Sequence, residues 1–275
     1  MTAIDDALTL IDGWPVDNAA AVVVGGDGSP LGSRGDVDRV YRLASVTKPL
    51  TAYAALVAVE EGVFDLDDPA GPAGSTVRHL LAHTSGLDFS EDKVRAEPGT
   101  RRIYSNRGFD VLAQTLEARA EIAFSTYIHE AVFAPLGMTS TRLTGSAGAG
   151  AESTAADLAR FAAELQRPTL LAPQTLSQAT TVAFPGLDGV LPGYGVQRPN
   201  DWGLGFELRD GKSPHWTSGA NSPGTFGHFG QSGTFLWVDP DAQAACVALA
   251  DRDFGQWAIE AWPPLSDAVL AAIAR

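Results

Sequence analysis

Ser45-Val46-Thr47-Lys48 heads the apolar run Pro49-Leu50-Thr51-Ala52-Tyr53-Ala54-Ala55-Leu56-Val57, and the rest of the chain is read outward from it. Lys48 is one of only three lysines among 275 residues, against sixteen arginines. A lysine at the start of an apolar helix therefore asks for a property that arginine lacks. Arginine keeps its proton under all ordinary conditions, whereas a desolvated lysine amine gives its proton up and can act as a base. Three residues back along a helix lies a hydroxyl within its reach, Ser45, so the stretch reads as a nucleophile with its base. The plainer alternative is a helix-capping serine followed by a solvated lysine in the first turn. The sequence downstream decides between them.

The chain is long enough for a full core, as one large domain or two joined subdomains. Its composition, 45% hydrophobic and 19% charged, is that of an ordinary globular protein. A formal net charge of -14 leaves no basic stripe to release counterions from a phosphate backbone, which excludes nucleic-acid binding and disfavours anionic membrane surfaces. The start, Met1-Thr2-Ala3-Ile4-Asp5-Asp6, is acidic and lacks the basic and apolar regions of a secretory signal, so a cytoplasmic location is expected. No apolar stretch approaches the roughly 20 residues that span a bilayer. Cys246 is the sole cysteine and sits in an apolar, strand-like run, where it reads as a small buried hydrophobe.

Ile4, Leu8 and Ile11 recur at helical spacing, and Ala20 to Val24 is a strand-type run ended by the turn Gly25-Gly26-Asp27-Gly28. A second short strand is expected before Ser45. Leu50 to Val63 reads as a helix stopped at Gly62, with an irregular first turn because Pro49 disfavours helical geometry at Lys48. Phe109, Leu112 and Leu116 line one helix face, and Thr154 with Asp157 suggests a capping box ahead of Leu158, Phe161 and Leu165. After Pro173 the pattern turns to loops rich in glycine and proline. The segments 203–208, 224–231, 234–238 and 244–250 then read as strands, and Leu265, Val269 and Ile273 as a terminal helix. Strands near both ends with helices between them predict an α+β fold. Its sheet is assembled from both ends of the chain, with an α/β part at about 1–45 and 185–275 and a mainly helical part at about 46–184.

Tyr104-Ser105-Asn106 follows Ser45 by 59 residues, just ahead of a helix. A phenol hydrogen-bonded to a lysine ammonium can share its proton, and an asparagine amide can hold a substrate carbonyl; a loop tyrosine and a helix-capping asparagine are the bland counterparts. His228-Phe229-Gly230 follows Tyr104 by 124 residues and leads into Gln231-Ser232-Gly233-Thr234. A glycine in a strand marks a close backbone approach, and a free strand-edge N–H there can donate to a developing oxyanion.

In this order the motifs resemble a family of serine hydrolases that includes class C β-lactamases, D-alanyl-D-alanine carboxypeptidases and related esterases. Its pattern is S-x-x-K, then Y-x-N, then K-T-G or H-x-G. Ser45 and Lys48 match the first, Tyr104 and Asn106 the second, His228 and Gly230 the third. Leu80-Leu81-Ala82-His83-Thr84-Ser85-Gly86-Leu87, Pro135-Leu136-Gly137-Met138, Ser153 to Leu158 and Gly233 to Pro240 resemble the family as well. The resemblance implies a single β-lactamase/transpeptidase-like domain over 1–275, its antiparallel sheet flanked by terminal helices, and an acyl-enzyme on Ser45. Lys48 and Tyr104 would pass the proton, and Tyr104 would help activate the deacylating water. The N–H groups of Ser45 and Gln231 would hold the oxyanion, and Asn106 would orient the substrate. It implies no metal or organic cofactor.

Two departures bear on substrate. His228 stands where β-lactamases usually carry a lysine, and a neutral imidazole holds a substrate carboxylate less firmly. The chain is also short for a class C enzyme. Small esters or amides are therefore the expected substrates, ahead of β-lactams; a β-lactamase, a D-Ala-D-Ala carboxypeptidase, or a penicillin-binding protein with slow turnover is the alternative. A partner-binding protein on the same fold would not need the full set of motifs. His79 and His83 are four apart, a metal-ligand spacing on a helix, but no glutamate follows His79 and the segment reads as structural. Tyr194, Trp202 and Trp216 either line an acyl pocket or pack the sheet.

Overall fold

A computed structural model describes residues 2–274. The chain begins with helix α1 (Ala3–Leu8) and strands β1 (Ala19–Gly25), β2 (Pro30–Gly35) and β3 (Tyr41–Arg42). Helices α2 (Thr47–Glu60), α3 (Val77–Leu81), α4 (Asn106–Ala120) and α5 (Phe124–Ile128) follow, then short strands β4 (Arg142–Leu143) and β5 (Ala151–Ser153). Helices α6 (Ala155–Gln166) and α7 (Pro173–Ala179) lead to the hairpin β6 (Gly189–Leu191) and β7 (Gly195–Gln197). Strands β8 (Glu207–Leu208), β9 (Phe226–Gly230), β10 (Thr234–Asp239) and β11 (Ala244–Ala250) and helix α8 (Gln256–Ile273) complete the chain.

Six strands form one antiparallel sheet in the order β2-β1-β11-β10-β9-β8. The two ends of the chain meet at its centre, where Val22 faces Val247 and Val23 faces Cys246. Side chains alternate across a strand, so each apolar run feeds two layers. Val22, Val24, Val247, Leu249, Leu236 and Val238 face the core shared with α2 and α6. Val23, Cys246, Ala248, Phe235 and Trp237 face the core shared with α1 and α8. A run that is apolar at every position is thus a strand covered on both faces. Burying each such valine, leucine or phenylalanine is worth about 1.5–3 kcal/mol. Burial also pushes the Cys246 thiol up, which keeps it unreactive.

Helix α2 runs through this core, and every residue from Thr47 to Ala58 is buried. A short 3-10 turn, Ala44–Val46, precedes it, with Ala44 in the left-handed region at φ 44°. The helix itself starts before Pro49, earlier than the expected Leu50. Proline is tolerated there because the first-turn N–H groups of a helix have no intrahelical partner.

The expected strand at 203–208 shrinks to Glu207–Leu208. Ahead of it the backbone crosses α2 at contact distance: a Cβ on Gly205, which sits at φ 86°, would lie 2.1 Å from the Ala52 Cβ. The Thr154 cap forms, with its hydroxyl accepting from Asp157 N at 3.1 Å, but the reciprocal half of the box does not. The Asp157 carboxylate turns to Ser140 N, the Thr141 hydroxyl and Arg160. Helix α8 begins at Gln256 and continues through Pro263 and Pro264. No helix among the described residues is long and apolar enough to cross a membrane.

Candidate active site

Ser45 stands in the 3-10 turn before α2 and Lys48 in the first turn of that helix, Asn106 at the start of α4 with Tyr104 just ahead of it, and His228 and Gly230 at the end of β9. The fold brings all three motifs to one place. Lys48 is 0% exposed, and its Nζ meets three oxygens: Asn106 Oδ1 at 2.5 Å, the Gly148 carbonyl at 2.8 Å and Ser45 Oγ at 3.3 Å. Burial pushes the amine well below its ordinary value; the Asp110 carboxylate opposes this more weakly. A neutral amine has two N–H donors and one lone pair. In that form the two carbonyl oxygens take the donors, which leaves the lone pair for the Ser45 hydroxyl.

Tyr104 differs from the expected phenol–lysine hydrogen bond. The amine lies over its ring, 4.5 Å from the centroid, while the phenol oxygen pairs with His228 Nε2 at 3.3 Å. His228 Nδ1 lies 2.6 Å from the Phe229 carbonyl, which can only accept. Nδ1 therefore carries the proton, Nε2 is the acceptor, and the tyrosine donates to the histidine. Burial pushes His228 down to about 3, so the ring is neutral at physiological pH. Burial pushes the Tyr104 phenol up, opposed only by the Ser45 hydroxyl, so it too is neutral.

Gly230 explains how β9 reaches the segment that carries Ser45. A Cβ at this position would lie 2.2 Å from the Leu43 carbonyl oxygen, so only glycine lets the strand end approach the segment before Ser45. Two hydroxyls fasten the contact: Ser232 donates to the Arg42 carbonyl at 2.6 Å and Thr234 to the Leu43 carbonyl at 2.9 Å. The backbone N–H groups of Ser45 and Gln231 are engaged by no other group among the described residues. Gln231 is held in turn by Phe254, whose N–H donates to its carbonyl at 2.7 Å.

Trp202 forms the floor, with its ring 5.3 Å from that of His228 and 5.7 Å from that of Tyr104. Trp216 packs the sheet instead, against Phe229 and Phe235, and donates to the buried Glu207 at 2.8 Å. Tyr194 packs on Phe229 and Phe254 beside the Gln231 turn. His79 and His83 do not form a metal pair. His79 Nδ1 accepts from Thr76 N at the start of α3, while His83 lies beyond that helix with φ 57°. Among the described residues no cluster of three or more His, Cys, Asp or Glu is placed to hold a metal.

Three contributors were given no part in the chemistry by the sequence reading. The Gly148 carbonyl belongs to a loop, Ser146 to Gly148, that Asp110 holds through Ser146 Oγ at 2.7 Å and Ala147 N at 3.0 Å. A backbone acceptor leaves no signature in residue identity. Phe89, 50% exposed, stacks on Tyr104 with centroids 6.0 Å apart. His83 packs behind Tyr104, and its signal was present in the Leu80 to Leu87 segment.

The chain matches the model of a family described as Beta-lactamase over residues 17–269. A solved structure of a beta-lactamase from Mycobacterium bovis is 62% identical, covers 98% of this chain and 100% of that chain, and superposes with a TM-score of 0.96. Penicillin-binding protein 4* of Bacillus subtilis is 29% identical over 137 residues, 38% of this chain and 30% of its own length. Monacolin J acid methylbutanoyltransferase of Aspergillus terreus is 30% identical over 156 residues, 38% of each chain. The matched region thus spans well under half the length of these two curated relatives. A family match running from β1 into α8, over a sheet built from both chain ends, admits one conclusion: the chain belongs to the Beta-lactamase family.

Proposed function

We propose that this chain is a serine hydrolase that forms its acyl-enzyme on Ser45 and favours small uncharged esters or amides over β-lactams. The observation that carries the chemistry is the coordination of Lys48. With two carbonyls taking its donors, the buried amine presents its lone pair to Ser45 and removes the hydroxyl proton as Oγ attacks the substrate carbonyl. The N–H groups of Ser45 and Gln231 receive the developing oxyanion. As the tetrahedral intermediate collapses, the proton taken up by Lys48 passes to the leaving group, with the Tyr104 phenol beside Ser45 as a relay that regains a proton for the one it gives and ends neutral. The bond to the leaving group breaks, the alcohol or amine leaves, and water then attacks the acyl carbonyl, giving a proton to the neutral Lys48 amine that passes on to Ser45 Oγ as the acid is released. The Asn106 carbonyl oxygen is spent on Lys48, so its NH2 is the part left to orient the substrate.

The preference for uncharged substrates rests on His228. Its one N–H is spent on the Phe229 carbonyl and its lone pair accepts from Tyr104. It therefore offers a substrate carboxylate neither a charge nor a donor. The two terminal nitrogens of the buried Arg102 are likewise turned to the carbonyls of Ala82, Ala183 and Phe184. The Mycobacterium bovis relative is described as a beta-lactamase, and the reading offered for this chain differs from that in substrate alone.

The test compares kcat/KM for nitrocefin and for a short-chain p-nitrophenyl ester in wild type and in His228→Lys. Wild type is expected to favour the ester, and the lysine variant to shift the ratio toward nitrocefin. Wild-type hydrolysis of nitrocefin far faster than of the ester, or an unchanged ratio in the variant, overturns the substrate preference. Mass spectrometry after treatment with a fluorophosphonate is expected to show the adduct on Ser45; an adduct elsewhere overturns the nucleophile.

A further inference from the structure

His83 occupies a position that stability alone does not explain. It is 1% exposed and its backbone lies in the left-handed region at φ 57°, where a residue with a Cβ is strained. Its Nδ1 accepts from Ser105 N at 3.1 Å, so the proton sits on Nε2. That Nε2 is buried and has no hydrogen-bond partner among the described residues. An apolar side chain would escape the cost of burying that N–H. What the imidazole provides is specific. Ser105 lies between Tyr104 and Asn106, and its N–H is held by His83 while its hydroxyl donates to the Asp88 carbonyl at 2.6 Å. The His83 carbonyl accepts from Ile103 N at 2.9 Å, so one residue grips the backbone on both sides of Tyr104. Its ring backs the phenol, with centroids 4.7 Å apart, and meets Trp202 at 90° and 4.7 Å.

We propose that His83 is a positioning residue: by holding the Ser105 N–H and backing the Tyr104 ring, it sets the phenol and the first residue of α4 in register with Ser45 and Lys48. This rests on the serine-hydrolase reading above. Positioning by about 1 Å can be worth on the order of a hundredfold in rate, which makes the contribution measurable.

A double-mutant cycle tests it, with kcat and KM measured on a p-nitrophenyl ester and thermal midpoints measured alongside. His83→Leu removes the acceptor and is expected to lower kcat by about 10- to 100-fold with KM changed by about twofold or less. His83→Asn puts an amide oxygen near the Nδ1 position and tolerates the left-handed backbone, so it should restore kcat to within several-fold of wild type. In a Tyr104→Phe background the loss caused by His83→Leu should shrink to about threefold or less, while its effect on the thermal midpoint stays the same. If His83→Leu does not fold, His83→Gln, whose amide reaches toward the Nε2 position, replaces it in the cycle. Rate losses that multiply fully in the double variant, or a His83→Asn as impaired as His83→Leu, overturn the proposal. Both outcomes are read with wild type still labelled on Ser45, which separates them from a failure of the nucleophile assignment.

Discussion

Lys48 shows how much chemistry one buried side chain can hold. Desolvation disfavours its charged form, and the two carbonyls around it satisfy a neutral amine without requiring the ammonium. Lys48→Arg keeps a cation but cannot supply a base, and its planar fork does not fit the two carbonyl acceptors. It should lose on the order of a thousandfold in kcat/KM, since general-base help is typically worth 10²–10⁴. Near-normal turnover would reduce the lysine to a structural role. The pH dependence follows with a definite sign. As the proposed base, Lys48 works unprotonated, so kcat/KM should rise with pH through the lowered Lys48 pKa and level off well below the ordinary 10.5 of a lysine. A profile still climbing toward that ordinary value would show that the amine is not the base.

At the scale of elements, the site depends on one contact between the end of β9 and the segment before α2. Gly230 permits it, and the Ser232 and Thr234 hydroxyls hold it. Gly230→Ala would place a methyl group against the Leu43 carbonyl oxygen and 2.5 Å from Thr234 Oγ1, so the β9–β10 turn must withdraw. The Gln231 N–H would move away from the Ser45 N–H. Since one oxyanion donor is worth about 10²–10³ in kcat, a loss of that order is expected, together with slower fluorophosphonate labelling of Ser45. Far-ultraviolet circular dichroism should remain native, because the remainder of the sheet is unaffected. Unchanged labelling in this variant would show that the Gln231 N–H takes no part.

For the whole molecule, folding brings several titratable groups into the interior, and its stability should depend on acid accordingly. His228 is held near 3 by burial and His83 also lies well below its ordinary 6.5, so the unfolded chain binds protons there that the folded chain refuses. Their contribution is complete above about 6.5 and is lost as pH falls toward 3. Glu207 adds to this at lower pH. Burial pushes its carboxyl up, but the contacts with His215 and Lys212 outweigh that and hold it near 2, so its contribution is lost as pH falls below 4.5. Urea midpoints measured from pH 7 to pH 3 should therefore decline from about 6.5 downward, before ordinary carboxylates titrate. His228→Asn should flatten the upper part of that curve. An equal slope in both proteins would place the acid sensitivity elsewhere.

Continuous apolar runs of strand length near both ends of the chain and 3.6-period runs between them pointed to the sheet and to the helices, because burial dictates residue type position by position. The three motifs were legible for a related reason: a scarce lysine, a tyrosine and a strand glycine are residue choices that ordinary packing does not demand. What the sequence could not show is where partners point. That Lys48 is held by Asn106 and a Gly148 carbonyl, and that Tyr104 donates to His228 and leaves Lys48 to its ring face, depends on atoms brought together from positions 56 to 124 residues apart. The role of His83 was hidden in the same way, since its partner is a backbone N–H, which every residue but proline supplies. Residue types follow from burial and can be read along the chain; hydrogen-bond direction and tautomer follow from the geometry of the folded site and exist only there.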